Sequence, residues 1–278
     1  TLRPDLGFPV AGNDAPDVSM AYCPERIIPG QMLRELVEND RIIGGMTSRC
    51  AEYAASVYQR FVRGICHKTT ARVAEMVKLT ENSFRDVNIA FANELSMVCD
   101  DFGVDVWKVI EFANRHPRVS ILNPGAGVGG HCIAVDPWFI VAGAPERARM
   151  IRMARTVNDS KPQYVMTQVE AALAGRRNAR IACLGMAYKP DVDDFRESPS
   201  LEIVRQLTQR FPGQVICCDP YAHAMDPSEV AQHGLMLADV DAALSGADIV
   251  VMLVAHSAFR ALAKPHDKTV VDPVGFWR

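Results

Sequence analysis

The sequence carries no excess of basic residues: 30 lysines and arginines stand against 33 acids, a formal net charge of −3. That balance excludes the cationic footprint selected by nucleic acid or an anionic membrane surface. No uninterrupted apolar run approaches the roughly 18 residues needed for a membrane-spanning helix. Residues 1–17 are rich in proline and aspartate and lack the apolar stretch of a secretory leader. Internal repeats, low-complexity segments and Cys-x-x-Cys pairs are also missing, although there are eight cysteines. Most of those cysteines lie in apolar stretches, where a thiol packs as a small hydrophobe. Without zinc-ligand spacing or a secretory context, free thiols and no metal site are expected, in a cytoplasmic protein.

With 278 residues, 49% of them apolar, the chain has room for about two domains. Three sections emerge. In the first, Val18 to Ala21 and Asp40 to Gly45 read as short strands around a helix at Met32 to Glu38, followed by a helix at Ser48 to Arg63. A lone strand needs neighbours, so this section reads as the end of an α/β domain whose earlier strands are absent. The second section is helical. Val73, Met76, Val77, Phe84, Val87, Phe91, Leu95 and Val98 recur at three- and four-residue steps, predicting one helix from Thr69 to about Asp101. Thr69 or Thr70 can cap its start, and Gly103 stands where a C-terminal glycine belongs. Helices at Asp105 to Arg115 and Pro145 to Asn158 follow, separated by a Gly- and Pro-rich loop over 117–137.

The third section alternates apolar strands (Ala179 to Leu184, Gln214 to Cys218, Asp248 to Val254, Thr269 to Asp272) with amphipathic stretches at Ser200 to Phe211 and Val240 to Ser245. That alternation predicts a doubly wound parallel sheet. Ligands of such sheets bind at strand carboxyl ends, here Tyr188-Lys189-Pro190, Asp219-Pro220 and the segment after Val254. The expected division is 1–68, 69–160 and 161–278.

Gly125-Ala-Gly-Val-Gly-Gly130 satisfies the G-x-G-x-x-G dinucleotide pattern. The fingerprint, however, needs a strand before it and an acid about 20 residues on that closes a second strand. Pro124 precedes these glycines and Glu146 falls in a helical stretch, so the dinucleotide reading is rejected. The glycines are expected instead to let the backbone approach a ligand and to hold a reactive side chain at the loop end. That side chain is Cys132, with His131 beside it and Asp136 four residues on, a setting in which reactive thiolates occur as well as inert core cysteines. Lys78 and Asn82 share a helix face; on so apolar a helix such a pair is expected to be partly buried, and a desolvated lysine can act as acid, base or oxyanion partner. Glu25, in Tyr22-Cys-Pro-Glu25-Arg26, ends a strand, where an acid can serve a ligand site or simply start the next helix.

Four separated motifs, in order, carry a resemblance: Tyr22-Cys-Pro-Glu-Arg-Ile-Ile-Pro-Gly, the stretch from Lys78-Leu-Thr-Glu-Asn through Glu94, Gly127-Val-Gly-Gly-His-Cys-Ile-Ala-Val-Asp-Pro, and Arg196-Glu-Ser-Pro. Together they resemble the UDP-glucose/GDP-mannose 6-dehydrogenase family over essentially the whole chain. The resemblance implies a remnant of a Rossmann-like NAD domain, a central long helix with a dimer-forming region, and a C-terminal UDP-binding domain. It also implies that the chain begins after the cofactor fingerprint and is inactive alone. The implied activity is oxidation of a UDP-sugar C6 alcohol to a carboxylate with two NAD⁺, through a Cys132 thioester. The implied roles are oxyanion partner or base for Lys78, orientation for Asn82, water activation for Asp136 and acid/base work for Glu25. Arg118 is implied to reach the sugar across a homodimer, with His131, Gly129, Gly130 and Lys189 at the substrate and Arg196 towards the cofactor. Val128 stands where many UDP-glucose enzymes have an aromatic residue, and His131 also departs from the common pattern, which favours an N-acetylated hexosamine. The alternative is a non-catalytic UDP-sugar binding or dimerisation module.

Overall fold

The computed structural model describes residues 6–9, 17–27 and 31–278. Residues 1–5, 10–16 and 28–30, which hold most of the Pro- and Asp-rich stretch over 1–17 and the end of the Tyr22 motif, lie outside the described residues. The chain divides into two compact units, 1–82 and 83–278. No helix among the described residues is long and apolar enough to cross a membrane.

The first unit contains β1 (Ala21–Tyr22), α1 (Met32–Glu38), β2 (Arg41–Gly45), α2 (Ser48–Tyr58), β3 (Cys66–Thr70) and the first turns of α3 (Ala71–Asp101). Its sheet runs β1-β2-β3, with β1 antiparallel and β3 parallel to β2. The strand expected at Val18 to Ala21 is only Ala21–Tyr22, and the helix expected to reach Arg63 ends at Tyr58. β3 was not expected. Cys-His-Lys-Thr-Thr is an edge strand with no apolar alternation, and only the neighbouring β2 makes it a strand. Thr47 caps α2 by accepting from Cys50 N–H at 3.2 Å. At Gly44 an added Cβ would lie 2.5 Å from Ala74 Cβ, so glycine lets the start of α3 rest against β2.

Thr70 Oγ1 accepts from Val73 N–H at 3.4 Å, and Gly103 takes φ +64° after the last turn of α3, as the cap residues predict. The 31 residues of α3 make it about 46 Å long at 1.5 Å each.

The second unit continues with α4 (Val106–Ala113), α5 (Asp136–Gly143), α6 (Arg149–Leu173), β4 (Ile181–Leu184), α7 (Pro199–Arg210), β5 (Val215–Cys218), α8 (Pro227–Gln232), β6 (Met236–Leu237), α9 (Val240–Ser245), β7 (Ile249–Met252) and β8 (Thr269–Val271). The five strands form an all-parallel sheet of order β6-β5-β4-β7-β8. Ile181, Cys183, Ile249 and Val251 point into one apolar core, while Ala182, Leu184, Val250 and Met252 point into a second. Both sheet faces are covered, which is why these strands read as unbroken apolar runs. Strand order reverses between β4 and β7, and the crevice at their carboxyl ends is where such a sheet takes ligands.

Two helices depart from expectation. α5 begins where the loop was expected to end, with Pro137 at a position that tolerates a missing N–H. The helix expected over Pro145 to Asn158 begins at Arg149 and runs on through Pro162 to Leu173. Asp-Ser-Lys-Pro reads locally as a stop, but a buried polar network holds α6 against α3. Arg155 pairs with Asp86 at 2.6 Å, Asn158 donates to Asp86 at 2.8 Å, and Asn93 donates to Asn158 at 2.9 Å. Lys161 donates to Ser96 Oγ at 2.5 Å. α3 therefore buries its polar stripe, while Phe84 and Phe91 are 68% and 56% exposed.

Candidate active site

Asn93 reaches past α6 and its Oδ1 accepts the Gly125 N–H at 2.9 Å, tying the glycine loop to α3. From there the loop is pressed against the segment after β4. A Cβ on Gly129 would stand 2.4 Å from the Glu197 carbonyl, and one on Gly130 (φ +85°) 2.9 Å from the Tyr188 ring. What the missing side chains leave room for is the close approach of Tyr188, Glu197 and Pro199. The effect is to fix the loop end and the residue that follows it.

That residue is Cys132. Its carbonyl accepts the N–H groups of Val135 at 3.1 Å and Asp136 at 2.8 Å, so the cysteine sits in the turn that opens α5. Of the eight cysteines it alone is exposed. Burial pushes Cys217 up to about 12 and Cys218 to about 11, so those thiols remain protonated core residues. Cys132 is free of that burial and lies in the turn before α5, open to solvent.

Around it, His131 Nε2 lies 3.7 Å from Asp194 Oδ2. Arg196 donates to both oxygens of Asp194 at 2.9 and 2.8 Å, and those hydrogen bonds are the main reason the Asp194 carboxyl falls to about 2. Lys189 Nζ lies 5.4 Å from the centre of the Tyr188 ring. A cavity of about 680 Å³ borders Val128, Asp194, Arg196 and Ser198, and also reaches Glu202 and Arg205. Arg118 is exposed in the turn after α4, where its backbone N–H donates to His116 Nδ1 at 3.3 Å.

The first unit brings together another part of the predicted set. Glu25 follows β1, and α1 starts only at Met32, so Glu25 does not begin that helix. Its carboxylate accepts from Arg41 Nη1 at 3.4 Å, and its carbonyl accepts from Lys78 Nζ at 2.8 Å. Lys78 is half-buried and Asn82, one turn on, is 7% exposed. The pair is partly buried as expected, although Phe84 and Phe91 on the same helix face out. Asp194 and the buried pair Asp219–His256 are polar groups at the crevice whose roles the sequence did not reveal. Asp219 was marked only by its place at a strand end.

The chain matches the UDP-glucose/GDP-mannose dehydrogenase family in its NAD binding domain over residues 9–62, its central domain over 72–160 and its UDP binding domain over 182–278. It is 56% identical over 277 residues to the NDP-N-acetyl-D-galactosaminuronic acid dehydrogenase of Ralstonia nicotianae, covering 99% of this chain and 65% of that protein. It is 53% identical over 288 residues to the UDP-N-acetyl-D-mannosamine dehydrogenase of Escherichia coli, covering 100% of this chain and 68% of that one. A solved structure of UDP-D-ManNAc dehydrogenase from Pyrococcus horikoshii is similar with a TM-score of 0.83 and 36% identity, over 95% of this chain and 62% of that chain. The chain thus spans about 65% of the length of the Ralstonia relative.

Proposed function

Because this chain belongs to the UDP-glucose/GDP-mannose dehydrogenase family, we propose that the whole protein oxidises UDP-N-acetyl-D-mannosamine at C6 to the uronate with two NAD⁺. The observation that carries this reading is the placement of Cys132, the one exposed thiol, at the end of a glycine loop packed on the segment that follows β4. The curated relatives of Ralstonia and E. coli are both named for N-acetylhexosamine chemistry, which supports an N-acetylated sugar over glucose. Val128 and His131 support the same choice.

NAD⁺ supplies a hydride acceptor for each of two oxidations. The described residues matched to its domain hold no glycine-rich strand-to-helix turn open to a pyrophosphate: at Gly45 an added Cβ would lie 2.3 Å from Ala51 N, so α2 closes that turn. The chemistry below is therefore assigned to this chain's own side chains.

After the first oxidation gives an aldehyde, the Cys132 thiolate adds to its carbon. A C–S bond forms and the carbonyl electron pair moves to oxygen, which Lys78 stabilises and Asn82 orients. The tetrahedral carbon then carries a hydride that can leave, and the product is a thioester. Water, positioned by Asp136, attacks that carbonyl; the C–S bond breaks, the thiolate leaves, and Glu25 handles the proton. Arg118 reaches the sugar of the partner subunit in a homodimer, His131, Gly129, Gly130 and Lys189 hold the substrate, and Arg196 lies towards the cofactor. The exposed Phe84, Phe91, Phe112 and Phe139 of α3, α4 and α5 support such a dimer.

The test is a panel of UDP-N-acetylmannosamine, its gluco and galacto epimers and UDP-glucose, given to the full-length protein. Two NADH per UDP-N-acetylmannosamine are expected, with Cys132→Ser lowering kcat by at least about 10³-fold. One NADH per sugar, preference for glucose, or an active Cys132→Ser variant would overturn the reading.

A further inference from the structure

The chemistry above leaves two strand-end features without a role, Asp219 after β5 and His256 after β7. Their side chains are fully buried, with His256 Nε2 3.2 Å from Asp219 Oδ2. The same Asp219 oxygen accepts the backbone N–H groups of Met186 at 2.6 Å and Ala187 at 3.1 Å, just past the end of β4. On the other side of the ring, His256 Nδ1 accepts the Asp191 N–H at 3.1 Å. With Nδ1 accepting, the ring proton resides on Nε2 and is donated to Asp219. Burial raises the Asp219 carboxyl, but the His256 contact and the Met186 and Tyr221 N–H groups outweigh it, and the carboxyl stays ionised below its ordinary range. The ring is held in place between Tyr221, 5.5 Å away, and Phe259, 5.6 Å away.

The pair therefore grips segment 186–191 at both ends. Asp191 adds a second sign of constraint: it takes φ +60°, a left-handed conformation that a non-glycine residue keeps only where its surroundings hold it. Its carboxylate accepts both the N–H and the hydroxyl of Ser257 at 2.8 Å, so the β7 side of the crevice holds it twice. Between the two grips stand Tyr188 and Lys189. Tyr188 is the wall against which Gly130 rests, two residues before Cys132.

We propose that the buried Asp219–His256 pair is a positioning device that clamps the 186–191 turn across the crevice between β4 and β7, and so sets how tightly the site takes its UDP-sugar. The proposal rests on the function proposed above for the identity of the ligand. Neither residue touches the reacting atoms. Their effect passes through the backbone of Tyr188 and Lys189, and it belongs to binding more than to turnover.

Two substitutions in the full-length protein separate this from a merely structural role. His256→Gln retains an N–H near Nε2 for Asp219 but has no acceptor for Asp191, whereas His256→Asn places its carbonyl near Nδ1 and retains that acceptor. Each variant cuts one link between Asp219 and Asp191, so the expected result is a KM for the UDP-sugar raised about tenfold in either, with kcat changed less than about threefold. Hydrogen exchange of the wild-type protein without ligand gives an independent readout: the amides of Ala187 and Asp191 should be slow before UDP is added and little changed by it. A folded variant of either kind with unchanged KM, a kcat that falls as far as KM rises, or fast wild-type exchange at those two amides would overturn the clamp. If the variants do not fold, the wild-type exchange decides. If wild-type protein oxidises no UDP-sugar, the function fails, while the exchange result still judges the clamp.

Discussion

Lys161 is a cation enclosed between α6 and α3, with Ser96 Oγ as hydrogen-bond acceptor and the Tyr164 ring 4.8 Å from its Nζ. Burial is the main cause that lowers its pKa from 10.5 to about 8, with Asp100 pulling the other way. The unfolded chain therefore holds this proton over a range of pH in which the folded protein has released it, and stability gains as pH rises from about 8 towards 10.5. Buried thiols and tyrosines oppose this gain at the alkaline end, so the readout must be a difference. Urea unfolding of wild type and Lys161→Met should show the wild type gaining about 2 kcal/mol on the variant between about pH 7.5 and 9.5. A pH-independent difference would mean that Lys161 is solvated. At the same scale Cys132 was singled out by a glycine loop before it and a histidine beside it, and its exposure sets it apart from the other seven thiols. What made the loop rigid was not legible: Tyr188 and Glu197 lie some sixty residues away in sequence.

Among the elements, α3 is the instructive one. Its apolar positions recur with helical period, and that period correctly predicts a helix, yet the face buried in this chain is the polar one. Asp86 and Arg155 form an ion pair whose side chains are 0% and 2% exposed, and Asn158 completes it. Breaking such a pair leaves a buried charge alone, which costs more than the pair contributes. Arg155→Met should accordingly lose about 3–5 kcal/mol in urea unfolding, far beyond an ordinary surface change. A loss below about 1 kcal/mol would show that solvent reaches Asp86. The same network explains why α6 overruns its apparent stop: the cost of Pro162 in a helix is offset by Asn158 and Lys161 in the turn before it, both hydrogen-bonded to α3. β3 and β6 escaped the sequence for the opposite reason. Both are short edge strands with little burial, and their pairing partners alone make them strands.

For the whole molecule, the outward apolar stripe of α3 matters most. Phe84, Phe91 and Val98 repeat every seven residues and are all exposed, an arrangement costly to leave in water. In the proposed homodimer this stripe is covered and Arg118 enters the partner's site, so assembly and activity are coupled. Phe84→Glu combined with Phe91→Glu in the full-length protein should give monomers by light scattering, together with loss of UDP-sugar oxidation. A dimer that persists would place the interface elsewhere, and an active monomer would remove Arg118 from the proposed site.

The sequence by itself determined the helical period of α3, its caps, the parallel character of the C-terminal sheet and the singular position of Cys132. Each rests on local chemistry: side-chain periodicity, a threonine before a helix, β-branched runs, a glycine loop. Only the tertiary structure decided which face of α3 is buried, where α6 ends, what the glycines of 127–130 lie against, and that Asp219 and His256 close on one turn. Those outcomes depend on partners far apart along the chain, and the free energy of desolvating a charge or seating a ring is set by what stands opposite it.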